Sequence, residues 1–193
     1  MVGGTGAGSQ METMPAMINK LFGTRIKVVS GYKGGNEVYL AMERGEVHGR
    51  CGGLKSSIKS TRPDWFPQKK VSVPVQIALE RDGEFADSPA LIEFVNDEKT
   101  KQILELILSP MDMDRPLLLP PGTPPDKVAA LRKAFGAAMK DKGLIADAAR
   151  ANIELEEVSG EKIHAILERA YAMPAEVIKE AKDAMSLTGA TNE

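Results

Sequence analysis

The 193-residue chain holds a single cysteine, Cys51, and two histidines, His48 and His164. One thiol excludes an intrachain disulfide framework and a cysteine-based zinc site, and two histidines are too few for a histidine-rich metal centre. No apolar run approaches the roughly 18 residues that a membrane helix needs. Neither sign of charge dominates: 25 Lys plus Arg face 27 Asp plus Glu, a net charge of −2. That balance, without any basic block, argues against a nucleic-acid binder held by bulk positive charge. The start carries no charged-then-apolar leader, because Met1 and Val2 run directly into Gly3-Gly4-Thr5-Gly6-Ala7-Gly8-Ser9. A glycine loop ordinarily follows a strand, so the chain reads as one that begins in the middle of a fold. What is present is ordinary for a globular protein, 42% apolar and 27% charged, and a chain of this length can bury roughly 70% of its unfolded surface.

Hydrophobic spacing predicts helices alternating with short strands in the first 80 residues. Met11, Met14, Ile18, Leu21 and Phe22 share one helical face, with Ser9 as N-cap and Gly23 as stop. Pro15 inside that pattern implies a late start or a kink. Ile26 to Val29 reads as a strand ending at Gly31. Asn36 is expected to cap a second helix, through Val38, Ala41 and Met42, stopped by Gly45. Val47 to Cys51 reads as a third strand, and a polar helix through Ser56 to Ile58 ends before Pro63. Val71, Val73, Val75, Ile77 and Leu79 alternate with Ser72, Pro74, Gln76 and Ala78, which predicts a strand with Pro74 at an edge or bulge.

Ser88-Pro89 is expected to open a helix, and Ile103, Leu104, Ile107 and Leu108 line another. Leu117 to Leu119 reads as a buried strand. Thr123 and Pro124 start a long helix whose buried face is Val128, Leu131, Phe135 and Met139. Glu154 to Val158 reads as a strand. Ser159 caps a helix through Ile163, Ile166, Leu167 and Ala170, and Pro174 begins a last one through Val177, Ile178, Ala181 and Met185. The fold class expected is α/β with a mostly parallel sheet, followed by a helix-rich second half.

Two loops carry the candidate chemistry. The loop from Thr5 to Ser9 lacks the lysine of a phosphate-binding loop and the third glycine of a dinucleotide fingerprint. It still offers backbone N–H groups and a hydroxyl at a helix N-terminus, a place that favours an anion. The alternative is a plain tight turn. The loop Tyr32-Lys33-Gly34-Gly35-Asn36 is alike in kind, and it too follows a strand and opens a helix. Here the alternative is a solvated turn with a packed tyrosine. Two such loops on adjacent strands would face one crevice, where open α/β sheets bind ligands. Arg50 ends the third strand; it could clamp a carboxylate, or pair structurally with Glu43 or Glu46. Cys51 is either a small buried residue or a nucleophile, with no histidine placed beside it. Trp65 and Phe66 are expected to plug a core edge. The acidic residues read as solvated helix faces, so no catalytic acid–base pair, metal site or cofactor is implied.

In order and spacing, Gly6-Ala7-Gly8-Ser9, Gly31-Tyr32-Lys33-Gly34-Gly35, Leu40 to Val47 and Pro121-Gly122-Thr123-Pro124 before a long helix resemble the substrate-binding receptors of tripartite tricarboxylate transporters, the TctC or Bug family. The stretch Arg44 to Gly52 resembles one large subgroup of it. The likeness runs from Gly3 to about Lys182. It implies a periplasmic, two-lobed fold of the type II periplasmic-binding-protein kind, closing on a small organic di- or tricarboxylate held largely by backbone N–H groups. The family's second-lobe loops correspond to Gly6–Ser9 and Tyr32–Asn36. The implied partners are that carboxylate and the transporter's membrane components. Residues 1–79 would then be most of the second lobe, and 80–193 the returning segment and C-terminal helices of an incomplete first lobe. His48 stands where the family commonly has an acid, and Gly53 and Leu54 where it has more polar or aromatic residues. Without a leader the chain as written would stay in the cytoplasm. The competing expectations are a non-binding truncated remnant and an enzyme using Cys51.

Overall fold

Two adjacent glycines fix the centre of the first half. In the computed structural model, which describes residues 1–53, 55–113, 116–151, 153 and 155–187, β1 (Val2–Gly3) pairs in parallel with β2 (Val28–Val29), Val2 opposite Val28 and Gly3 opposite Val29. On its other side β1 meets the segment at Gly49 through a parallel bridge, with the Gly3 amide donating to the Gly49 carbonyl at 3.0 Å. The order across the sheet is therefore β2, β1, Gly49. The crossovers are α1 (Gln10–Phe22) and α2 (Gly35–Glu43). Successive residues of an extended chain face opposite sides, and each side is closely approached. A Cβ on Gly3 would lie 2.6 Å from Val38 Cγ1 of α2; one on Gly4 would lie 2.8 Å from Glu12 Oε1 of α1. The two glycines let a helix settle on each face of the small sheet.

α1 begins after Ser9 and ends at Gly23, whose φ of 66° is the left-handed conformation that glycine adopts without strain. It runs unbroken through Pro15. The face carrying Met14, Met17 and Ile18 packs into the main core with α4 (Glu98–Leu108) and α8 (Ala175–Ala184). Ile103, Leu104, Ile107 and Leu108 are all buried there, as their spacing predicts. This cluster draws residues from both sides of the expected division at residue 79. A second cluster, Val38, Ala41 and Val47, joins α2 to the sheet. α3 (Lys55–Thr61) follows, and the second half adds α5 (Pro125–Ala138), α6 (Lys142–Arg150) and α7 (Gly160–Tyr171).

The class is α/β with a small parallel sheet and a helical second half, but several expected strands are absent among the described residues. Val71–Leu79 forms no strand: only Gln76 makes a bridge, to Ala90. The reason lies in Gln76 itself, which is buried with every polar group engaged. Its Nε2 donates to the Phe85 and Ser88 carbonyls, its Oε1 accepts from the Asp82 amide, and its backbone pairs with Pro89 and Leu91. The segment is therefore held by a looping chain, and Pro74 has no amide to give to a ladder. Leu117–Leu119 forms no strand and is not buried, with Leu117 and Leu118 80% and 81% exposed. Residues 155–158 form no strand, and Glu154 lies outside the described residues. Ser88-Pro89 leads only to a short 3-10 turn, Leu91–Phe94. α5 starts one residue later than expected, after Pro124, and buries none of its residues, Leu131 and Phe135 included. Asn36 sits inside α2 and Gly34 takes the cap position. α6 has no counterpart in the expected element order.

Candidate functional site

The order β2, β1, Gly49 means that the chain leaves β1 to one side for β2 and returns to the other side for Gly49. The C-terminal ends at such a reversal flank a crevice. Three segments meet there: Gly4–Ser9 after β1, Ser30–Gly34 after β2, and Arg50–Gly53 after the bridge. The Tyr32 amide donates to the Gly4 carbonyl at 3.2 Å and ties the first two together. Gly52, at a left-handed φ of 68°, sits close to the first turn of α1: a Cβ there would lie 3.2 Å from Gln10 Cβ.

Arg50 joins the third segment to the second. Its guanidinium lies so close over Gly35, the first residue of α2, that a Cβ there would stand 2.5 Å from Nη1. Its Nε donates to the Gly52 carbonyl at 2.8 Å, and its Cζ stacks 4.8 Å from the centre of the Tyr39 ring. No described carboxylate pairs with it. Glu43, one partner expected for it, is taken by Arg62 at 2.6 Å, and Glu46, the other, by Arg44 at 3.7 Å. A half-buried cation thus stands beside the positive end of α2, and the loop that carries it abuts the positive end of α1.

The acidic residues of this region are not the solvated faces that the sequence suggests. Glu12 is 4% exposed. Its Oε1 accepts from the Gly6 amide at 2.8 Å and from Ser30 Oγ at 2.6 Å. Glu37 Oε2 accepts from the Lys33 amide at 2.8 Å. Each is the third residue of its helix and turns back onto the loop before it. Ser9-x-x-Glu12 has the spacing of a capping box, which is the signal the sequence offered. The box closes differently here: Glu12 reaches past Ser9 to Gly6, and Ser9 Oγ is buried with no partner among the described residues.

The expected site residues therefore divide. Gly6 and Lys33 have their amides committed to internal carboxylates. Ala7 and Gly8 are exposed, and their amides donate to nothing in the described residues. Gly34, Gly35 and Asn36 form the start of α2, and Thr5 links the sheet to the first loop. Tyr32 follows the packed alternative, its ring against the Val38, Ala41 and Val47 cluster. The Lys33 side chain is exposed.

Tyr39 was not among the expected site residues. It is 3% exposed, edge-on to buried Trp65 with ring centres 5.2 Å apart, and its hydroxyl has no partner among the described residues. Burial pushes its phenol up, against the opposing pull of Arg50 and Arg62. Cys51 packs against the main core, and burial pushes its thiol up as well. His48 and His164 are exposed, and no group of three or more potential metal ligands occurs among the described residues. No described helix is long and apolar enough to cross a membrane. Comparison with family models, with curated proteins and with solved structures returns no match in any of the three.

Proposed function

We propose that the chain is a solute-binding receptor component of a tripartite tricarboxylate-type transporter, periplasmic by resemblance, and that it binds a small organic carboxylate. One observation carries the binding role: Arg50, a half-buried guanidinium with no described carboxylate partner, held by Gly52 and Tyr39 beside the α2 N-terminus. Such a cation gains most from an anion that supplies the missing oxygens, since hydrogen bonds to charged groups contribute roughly 1.5–3 kcal/mol each. The free amides of Ala7 and Gly8 and the start of α2 around Gly34 to Asn36 supply further donors. The type II periplasmic-binding fold and the membrane partners rest on the resemblance. The reading is of a binder and not of an enzyme: a partly buried thiol whose pKa burial raises is a poor nucleophile at neutral pH.

A second reading, a folded remnant that no longer binds, is favoured by the surface. The accessible area is 12791 Å², roughly 1.4 times the ~8,900 Å² expected of a compact monomer of this length. A thermal melt with and without small carboxylates separates the two. A ligand at about 100 times its dissociation constant adds ~2.7 kcal/mol, a rise of roughly 5–11 °C. That rise, abolished by Arg50→Gln, is the expected result. An unchanged melt across mono-, di- and tricarboxylates refutes the binding role.

A further inference from the structure

We infer that Glu12 and Glu37 set the charge class of the ligand, so that the crevice takes a single carboxylate in preference to a di- or tricarboxylate; this rests on the binding role proposed above. The attractive charge around the crevice is the Arg50 guanidinium and the ends of two helices, each equivalent to about half a positive charge. Against it stand two carboxylates built into the same loops. Glu12 lies beneath Gly4 and Gly6, bonded to the Gly6 amide and to Ser30, and Glu37 holds the Lys33 amide. Together they offset much of that attraction, Glu12 from a buried position and Glu37 less strongly from a partly exposed one. The Lys33 ammonium stands in solvent, where it is screened. Arg62 is already bonded to Glu43.

The two glutamates also remove donors. An incoming carboxylate finds the Gly6 and Lys33 amides occupied, so the two loops cannot each seat a separate carboxyl group through those amides. One carboxylate on Arg50 uses what is free. A second carboxylate brings another negative charge to a place where much of the attraction is already offset and must lose hydration to enter.

Titration calorimetry of the chain with butyrate and succinate, equal in length and different in charge, tests this. Three proteins are compared: wild type, Glu12→Gln and Glu37→Gln. Glutamine keeps an oxygen for the bonds from Gly6 and Ser30 while removing the charge. Glu37→Gln is a partly exposed site whose change leaves the core untouched, so it serves even if Glu12→Gln melts early. Wild type is expected to bind butyrate at least as tightly as succinate. Glu12→Gln is expected to raise the succinate-to-butyrate affinity ratio about fivefold, the effect of one charge at a separation of several ångströms in a partly solvated site. Glu37→Gln moves the ratio the same way by a smaller factor. Tighter succinate binding by wild type, or a ratio unmoved in both variants, overturns the inference while leaving the binding role standing. No binding of either probe by wild type overturns both.

Discussion

Replacing Gly3 by alanine tests the packing on which the crevice depends. The added methyl would stand 2.6 and 3.1 Å from the two methyls of Val38 and 3.2 Å from Tyr32 Cε2. Ordinary contact begins near 3.4 Å, so Val38 must retreat by most of an ångström. It has nowhere to go, being 0% exposed between the sheet and α2. Overpacking of this kind costs roughly 1–3 kcal/mol. Alanine returns some of that by restricting the unfolded chain, about 0.4–1 kcal/mol. The net loss is about 1–2 kcal/mol. In a chain of this size that lowers the melting temperature by roughly 2–8 °C.

Differential scanning calorimetry of Gly3→Ala, Gly83→Ala and the pair Gly3→Ala with Val38→Ala measures it. Nothing lies within 4 Å of a Cβ at Gly83, and its φ is not positive, so that control melts at or slightly above wild type. Val38→Ala alone is destabilising because it opens a cavity. Combined with Gly3→Ala it makes room for the new methyl, and the pair costs less than the two singles together, by the logic of a coupled double mutant. A Gly3→Ala protein that melts at or above wild type, or additive losses in the pair, refutes the close approach of α2. The anion site would fall with it, because α2 carries Gly35 and the Arg50 guanidinium rests on that residue.

Three further outcomes follow from particular contacts. Glu93 accepts from Arg81 and from the Ala90 amide, which hold its carboxyl down from 4.5 to about 2; a depressed carboxylate stabilises above its unfolded pKa, so the melting-temperature deficit of Glu93→Gln is full above about pH 4.5 and shrinks as pH falls toward 2. A deficit that is independent of pH contradicts the pairing. Cys51, with its thiol pushed up by burial, is expected to react slowly with a disulfide reagent at pH 7.5 and rapidly in urea; fast labelling of the folded chain would show an exposed thiolate instead. Leu117 and Leu118, uncovered by any described residue, are expected to drive self-association, so Leu117→Lys with Leu118→Lys raises the monomer fraction in light scattering without lowering the melting temperature. A lower melting temperature would mean that the two side chains are packed.

Local signals carried the helices well because the information sits within a turn or two. Ser9 and Gly23 bound α1, Ser159 Oγ accepts from the Lys162 amide at the start of α7, and the apolar spacing from Ile103 to Leu108 matches its burial. The failures share a cause. Period-two alternation from Val71 to Leu79 states which side chains would share a face if a partner strand lay alongside; it supplies no partner. Leu117–Leu119 and the apolar residues of α5 have the same status, apolar faces that no described residue buries. α6 is weakly signalled in the sequence for a local reason: Asp141 caps it, but Gly143 in the first turn weakens the helical pattern.

The site shows the same division between what neighbours in sequence determine and what only space decides. In the glycine run, Gly3 and Gly4 serve the approach of two helices, while Ala7 and Gly8 keep amides that donate to no described residue. Glu12 and Glu37 were readable from their position three residues past the cap, yet their role depends on which amide each reaches. Arg50 is the sharpest case. In sequence it has two acids within reach, Glu43 and Glu46, and an ion pair with either would end its interest. Arg62 lies nineteen residues beyond Glu43 and takes it, and Arg44 takes Glu46. The cation left over has no described carboxylate partner, and its availability is a property of the competition among three arginines that only the folded chain resolves.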